Sequence, residues 1–149
     1  MVRHGVDFVV VGGMAGIANG SSYPSFDLDL AYSRRKENVA RLVRALSEIG
    51  VRLRGAPPEL ELPLDERTIE SGANFTFITP YGDLDLLGDI SGVKDFESLE
   101  KDSFEDFAGG VRVRIASLDK LIAMKRGANR PKDRNMLEEY IVIAEERRR

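Results

Sequence analysis

The sequence predicts one α/β domain spanning residues 1–149, with a mixed, partly antiparallel β-sheet and helices packed against it. Three observations predict this fold class. A β-branched run, Val9–Val11, ends at a Gly-Gly pair, two stretches alternate apolar and acidic residues as half-buried strands do, and several stretches carry apolar residues at helical spacing. A chain of 149 residues is long enough to bury one core without disulfides.

The composition excludes several classes of protein. Cysteine is absent, which excludes disulfides and thiolate metal sites. A net charge of -3 disfavours a protein that coats nucleic acid through bulk positive charge. No apolar run has membrane-spanning length, and the first residues lack a signal-peptide core. We therefore expect a cytoplasmic protein with no membrane partner.

The first strand is predicted at Val9–Val11 and leads directly into Gly12 and Gly13. Glycine permits a tight turn and a close approach of the backbone to a ligand. A short helix over Met14–Ile17 would then direct its first amide groups towards that turn, where an anion is favoured. A Gly-Gly pair in this position is more often a simple strand-to-helix connection. It indicates a binding site only in combination with other candidate site residues.

A second strand carries Asp27 and Asp29, two residues apart. Alternation along a strand places both carboxylates on one face. The opposite face is predicted to belong to the core and consists of Phe26, Leu28 and Leu30. The acidic face is then either solvated or part of a site. Carboxylates without a nearby base favour Mg²⁺ as counter-cation.

A helix follows, with Ser33 as its predicted N-cap and Gly50 as its end. Val51–Arg54 is predicted as a short strand, and Pro57–Glu66 as an irregular connection. The buried stripe of the helix is predicted to consist of Val39, Leu42, Val43, Leu46 and Ile49.

A hairpin is predicted from Asn74–Ile78 and Asp83–Leu87, with the four residues between them as the turn. Asp83 and Asp85 share one face of the second strand, by the same alternation as before. If this strand lies beside the one that carries the first acidic pair, three or four carboxylates converge. Asp89, after the strand, is interpreted as a loop residue.

The C-terminal half predicts a short helix at Phe96–Lys101 and a second hairpin from Phe104–Phe107 and Val111–Ile115. Ser117 is the predicted cap of the next helix, which is expected to break at Gly127. The buried face of that helix is predicted to consist of Leu118, Leu121, Ile122 and Met124.

A last helix is predicted to begin at Pro131. Basic residues crowd the junction before it, and such a run is ordinarily a solvated surface. The junction contains Lys125, Arg126, Arg130, Lys132 and Arg134. The apolar residues predicted to carry the last helix are Leu137, Tyr140, Ile141 and Ala144.

The ordered set of Gly12, Gly13, the Asp27–Leu30 stretch and a later isolated strand aspartate resembles the DNA polymerase beta-type nucleotidyltransferase superfamily. Within it, the sequence is most similar to the small bacterial group of minimal nucleotidyltransferases and nucleotidyltransferase toxins of toxin-antitoxin pairs. The resemblance runs from Gly5 to about Leu137. It implies a nucleotidyltransferase-like sheet and a third metal-binding acid between two apolar residues. Asp85 matches that position, and Asp83 is the weaker candidate.

The resemblance also implies roles for individual residues. Asp27, Asp29 and Asp85 would be catalytic and would hold two Mg²⁺ or Mn²⁺ ions. Residues expected to bind the nucleoside triphosphate, ATP or another, are Gly12, Gly13, Ser21, Ser22, Ser25, Lys125 and Lys132. The two lysines match a lysine-bearing helix that is followed by an Arg-Pro-Lys-Asp segment.

The implied activity is transfer of a nucleoside monophosphate to a hydroxyl of RNA, tRNA included, or of protein, with an antitoxin or toxin as partner. One alternative is an inactive or weakly active nucleotidyltransferase fold that serves as a nucleotide-binding or protein-binding module. Another is a metal-dependent phosphohydrolase that uses the same acids on water. The sequence does not specify the base of the triphosphate, the acceptor or the oligomeric state.

Overall fold

A computed structural model of the chain describes residues 1–60 and 64–149. These residues form one seven-stranded mixed sheet, in the order β3-β4-β5-β2-β1-β7-β6. The strands are β1 (Phe8–Val11), β2 (Leu28–Tyr32), β3 (Arg52–Leu53), β4 (Asn74–Thr79), β5 (Gly82–Leu87), β6 (Ser103–Ala108) and β7 (Val111–Ala116). The helices are α1 (Gly12–Ala18), α2 (Lys36–Ile49), α3 (Glu66–Ser71), α4 (Phe96–Lys101), α5 (Leu118–Ala128) and α6 (Arg134–Arg147), with short 3-10 turns at Val2–His4 and Pro131–Asp133.

The sheet is mixed, which confirms the predicted fold class. The pairs β1–β2, β3–β4, β4–β5 and β6–β7 are antiparallel, whereas β1–β7 and β2–β5 are parallel. Both predicted hairpins are present as β4–β5 and β6–β7. Thr79 pairs with Gly82, so the turn of the first hairpin has two residues, Pro80 and Tyr81, rather than the four predicted.

The core is centred on β1, whose three valines are all buried, Val9 and Val11 completely. A strand between two neighbours with helices packed over it must present apolar side chains on both faces. The predicted stripe of α2 is confirmed at Val39, Leu42 and Leu46, which are each at most 1% exposed. Val43 and Ile49 are only partly buried.

The predicted core face of the second strand is wrong at two of its three positions. Phe26 is 88% exposed and Leu28 is 40% exposed, while Leu30 is buried. The reason is that β2 begins only at Leu28, so that Phe26 lies in the preceding loop and Asp27 at a bend. The strand therefore does not extend back to Asp27, and its buried part runs without alternation from Leu30 to Tyr32.

Helix starts were predicted with mixed success. Ser117 is the N-cap of α5, and its Oγ accepts a hydrogen bond of 3.2 Å from the Lys120 backbone N–H. Ser33 is not the cap of α2, since that helix begins at Lys36 and its N-cap position, Arg35, makes no side-chain capping bond. The helix after β1 begins at Gly12, two residues before the predicted start.

Two further differences concern helices. Gly127 does not break α5, which continues to Ala128 and ends at Asn129 in the left-handed conformation. A side chain at Gly127 would place its Cβ 2.4 Å from the backbone nitrogen of Gly92, so this glycine permits close packing. Helix α3 was not predicted, and it begins with Asp65 accepting a hydrogen bond from the Thr68 backbone N–H. The predicted Pro57–Glu66 connection lies partly outside the described residues.

Within residues 1–60 and 64–149, no helix combines the length and apolar character that crossing a membrane requires.

A buried asparagine on α2 joins three segments that the site depends on. The side chain of Asn38 is 1% exposed. It accepts a hydrogen bond of 2.6 Å from the backbone N–H of Asp7, before β1, and donates bonds of 3.0 and 2.7 Å to the carbonyls of Asp7 and Ser33. It therefore ties the start of β1 and the end of β2 to the helix.

We predict that Asn38→Ala lowers the free energy of unfolding by about 2–4 kcal/mol, because three hydrogen bonds around a buried side chain are lost. Asn135→Ala, on the exposed surface of α6, is the matched control and should change stability by less than about 0.5 kcal/mol. Urea denaturation followed by circular dichroism measures both values. Equal effects of the two substitutions would contradict the structural role of Asn38.

Candidate active site

A cleft of about 450 Å³ opens where β1 passes into α1 and is bounded by β2, β5 and α5. Five of the residues predicted to form the site lie along it, namely Gly12, Gly13, Asp29, Asp85 and Lys125. Other residues of its wall, which the sequence did not single out for the site, include Asn74, Asp89, Arg130 and Tyr140.

Asp29 and Asp85 are direct neighbours on the two parallel strands β2 and β5, where they are partners in the register. Parallel pairing brings side chains at equal register to the same face, so the two carboxylates lie side by side. Oδ1 of Asp29 is buried and has no hydrogen-bond partner within the described chain. An unpaired buried acceptor beside a second carboxylate favours a cation.

The pKa of Asp29 is raised from 3.8 to about 6. Burial of the carboxyl is the largest cause, and the negative charges of Asp85 and Asp27 add to it, together with a hydrogen bond to Asp85. Lys125 acts in the opposite direction but does not compensate. The site therefore carries uncompensated negative charge when Asp29 is ionised.

Gly12 is required by the position of Asp29. Its φ is +68°, and a Cβ at this residue would lie 2.0 Å from Oδ2 of Asp29. Gly13 is equally constrained, because a Cβ there would lie 2.6 Å from Oγ of Ser25. The Gly-Gly pair thus gives space to side chains that arrive from the next strand and its loop, in addition to forming the turn.

Arg54 is a site residue that sequence reasoning missed. It follows β3, and its Nη2 donates a hydrogen bond of 2.9 Å to Oδ1 of Asp85. Its Nε lies 3.4 Å from Oδ2 of Asp83. Both candidates for the third acid are therefore paired with one guanidinium group. No local pattern in the sequence links Arg54 to these acids, since the contact forms only when β3, β4 and β5 pair.

The basic junction contributes Lys125 and Arg130 to the cleft. Both are held by Asp133, which is 8% exposed: Nζ of Lys125 donates a 3.0 Å bond to Oδ1, and Nε of Arg130 donates a 2.6 Å bond to Oδ2. Burial opposes ionisation of Asp133, but these two cations outweigh it and hold its pKa below the usual value. Lys132 is exposed and does not line the cleft.

The three predicted serines do not line the cleft either. The Ser22 backbone N–H donates a 2.6 Å bond to Oε1 of Glu139 on α6, and the Ser21 hydroxyl is 3.4 Å from the other oxygen of that carboxylate. The Ser25 hydroxyl donates to the Asp27 carbonyl at 3.2 Å. Their predicted contact with a triphosphate stays a prediction, and in this structure they hold the loop before β2.

The donor set fits a hard divalent cation. Asp29 supplies a buried oxygen without a partner, Asp85 lies beside it, and hard cations prefer carboxylate oxygens. Across residues 1–60 and 64–149, however, no group of three or more acidic, histidine or cysteine side chains is arranged to hold a metal ion. Asp27 influences Asp29 through its charge, and its predicted role as a metal ligand stays a prediction.

Two solved structures share this fold. A protein from Thermotoga maritima described provisionally as a nucleotidyltransferase superposes with a TM-score of 0.57 at 17% identity, over 91% of this chain and 82% of its own. The lincosamide antibiotic adenylyltransferase LnuA, with lincomycin bound, gives a TM-score of 0.57 at 14% identity, over 95% and 90% of the two chains. At such identities the likeness establishes a nucleotidyltransferase-type fold, as the sequence resemblance implied.

No protein-family model matches the sequence, and comparison with curated proteins gave no match.

We predict that stability falls as the pH rises from about 4 to 6, because the folded protein binds the Asp29 proton more tightly than the unfolded chain does. The loss should reach about 1–2 kcal/mol after allowance for solvent screening, and it should be complete above the folded pKa. Asp29→Asn should flatten this part of the curve and raise stability at pH 7. Urea denaturation across the pH range checks this, with exposed Asp119→Asn as the control. An unchanged slope in Asp29→Asn would contradict the assignment.

We predict that Gly12→Ala abolishes stabilisation by Mg²⁺, because the new Cβ displaces the Asp29 carboxylate. Gly20→Ala is the matched control: its φ is +103° and no atom lies within 4 Å of the added Cβ. Both variants should lose about 1–2 kcal/mol to backbone strain. Thermal melts with and without millimolar Mg²⁺ should show the metal-dependent shift in wild type and Gly20→Ala alone. Equal shifts in the two variants would contradict the prediction.

Proposed function

We propose that this protein is a metal-dependent nucleotidyltransferase that moves a nucleoside monophosphate from a nucleoside triphosphate to a hydroxyl group of RNA or protein. The observation that carries the proposal is the pairing of Asp29 with Asp85 at equal register on parallel strands, directly beside Gly12. Two neighbouring carboxylates, one of them with an unpaired buried oxygen, destabilise the folded protein. A bound cation would relieve this destabilisation.

The walls of the cleft suit a triphosphate. Gly12 and Gly13 present backbone without side chains, so phosphate oxygens can approach the amide groups closely. Lys125 and Arg130 lie on another wall and are fixed by Asp133, so their positive charges are in place before a substrate binds. Lys132 and the serines at positions 21, 22 and 25 would need to move to contribute.

In the proposed reaction, the oxygen of the acceptor hydroxyl forms a bond to the α-phosphorus, and the bond between the α-phosphorus and the bridging oxygen breaks. Pyrophosphate leaves, and the proton of the hydroxyl passes to solvent. A bound Mg²⁺ or Mn²⁺ would supply charge neutralisation and a lower pKa of the acceptor hydroxyl. Asp29 and Asp85 would hold it, with Asp27 adding negative charge nearby. Lys125 and Arg130 would orient the leaving pyrophosphate and offset its charge.

The acceptor class is the least constrained part of the proposal. RNA and protein follow from the sequence resemblance, as does a toxin or antitoxin partner. The cytoplasmic location follows from the composition of the sequence. The likeness to LnuA, an adenylyltransferase of lincosamide antibiotics, adds small-molecule hydroxyls to the acceptors worth testing. All three classes share the chemistry that the cleft would recognise, a hydroxyl next to a triphosphate.

We predict that the wild-type protein, incubated with Mg²⁺ and each α-labelled triphosphate, labels one of three acceptor pools: total RNA, total protein or lincomycin. Asp29→Asn should reduce transfer by about 100-fold or more, because it removes charge stabilisation that the transition state requires. It should not reduce folding stability, since repulsion is relieved. Asp119→Asn, on the exposed face of α5, is the control and should retain full transfer.

Two outcomes favour the alternatives. Nucleotide binding without label in any acceptor pool would favour a binding module. Release of free labelled nucleotide or phosphate with no acceptor present would favour a phosphohydrolase.

A further inference from the structure

We infer that Arg54 is a built-in cation of the acidic cleft, and that this chain consequently binds one divalent ion rather than the two that three carboxylates could hold. The inference rests on the proposed function, since it concerns the metal ion that this function requires.

The guanidinium group of Arg54 is held by two hydrogen bonds. Nη2 donates to Oδ1 of Asp85 at 2.9 Å and to the carbonyl of Phe77 at 3.2 Å. The backbone N–H of Arg54 donates to the Thr76 carbonyl at 2.9 Å, which extends the β3–β4 pairing and anchors the residue itself. The side chain is 32% exposed.

This placement uses the oxygen of Asp85 that a second ion would need. Nε of Arg54 also lies 3.4 Å from Oδ2 of Asp83. Asp83 and Asp85, the two candidates for the third acid, therefore both form an ion pair with Arg54. By contrast, Oδ1 of Asp29 is buried and unpaired. The oxygen atoms that are left to bind a metal ion are therefore Oδ1 of Asp29 and the neighbouring Oδ2 of Asp85.

The other cation near the acids cannot take over this role. Lys125 lies in the cleft but donates its 3.0 Å hydrogen bond to Asp133, whose second oxygen is held by Arg130. Removal of the Arg54 charge would therefore leave Asp83 and Asp85 without a cationic partner among residues 1–60 and 64–149. A second divalent ion is the natural replacement, since neighbouring carboxylates repel each other and a nearby positive charge favours their ionised form.

The test is a Mn²⁺ titration of the full chain without nucleotide, in which electron paramagnetic resonance measures the free ion. We expect one bound Mn²⁺ per chain for wild type and two for Arg54→Gln. Arg52→Gln is the matched control, since Arg52 is an exposed arginine on β3 that contacts none of the acids, and it should bind one ion.

Two ions in wild type, or one ion in a folded Arg54→Gln, would overturn the inference. If circular dichroism shows that Arg54→Gln does not fold, the wild-type count decides alone: one ion supports the inference and two overturn it. No bound ion in wild type would overturn the proposed function together with the inference. Two ions in a wild type that still transfers nucleotide would overturn the inference alone.

Discussion

Asp29 and Asp85 face each other across neighbouring parallel strands, and much of the surrounding structure serves to hold these two like charges together. The register of β2 against β5 fixes their separation. Gly12 leaves room for one carboxylate, and Arg54 binds the other. Repulsion of this kind persists in a folded protein only where the remaining contacts outweigh it, and it is most often found where a ligand relieves it.

The loop before β2 depends on the far end of the chain. Glu139 of α6 accepts a hydrogen bond from the Ser22 backbone, and Nη2 of Arg147 donates a 2.6 Å bond to the carbonyl of Asn19. Asn19 is 2% exposed and in turn donates to the Ala116 carbonyl at the end of β7. The last helix therefore positions the loop that leads to Asp27.

Local patterns in the sequence predicted much of this architecture. The run Val9–Val11, both hairpins and the cap at Ser117 follow from propensity and alternation within a few residues. Asp85 could be chosen over Asp83 only through the family resemblance, because alternation places both on one face. In the structure, Asp85 is the partner of Asp29 and lines the cleft.

What the sequence did not predict depends on long-range contacts. Arg54 reaches the acids because β3 is the edge strand next to β4, which no local spacing encodes. Phe26 fits the alternation of a strand, yet the strand begins two residues later, and strand ends are set by tertiary pairing. The serines at positions 21 and 22 are polar loop residues whose partner, Glu139, lies more than a hundred positions further along the chain.

The parallel pairing of β2 with β5 also bears on how the molecule folds. Between these strands the chain forms α2, β3, α3 and β4, so their pairing closes a long loop, whereas the two hairpins form from adjacent segments. Contacts between distant segments are usually made late. Repulsion between Asp29 and Asp85 then mainly raises the unfolding rate, which shortens the lifetime of the native state, and changes the folding rate little. The two arms of a chevron plot would measure these two effects separately.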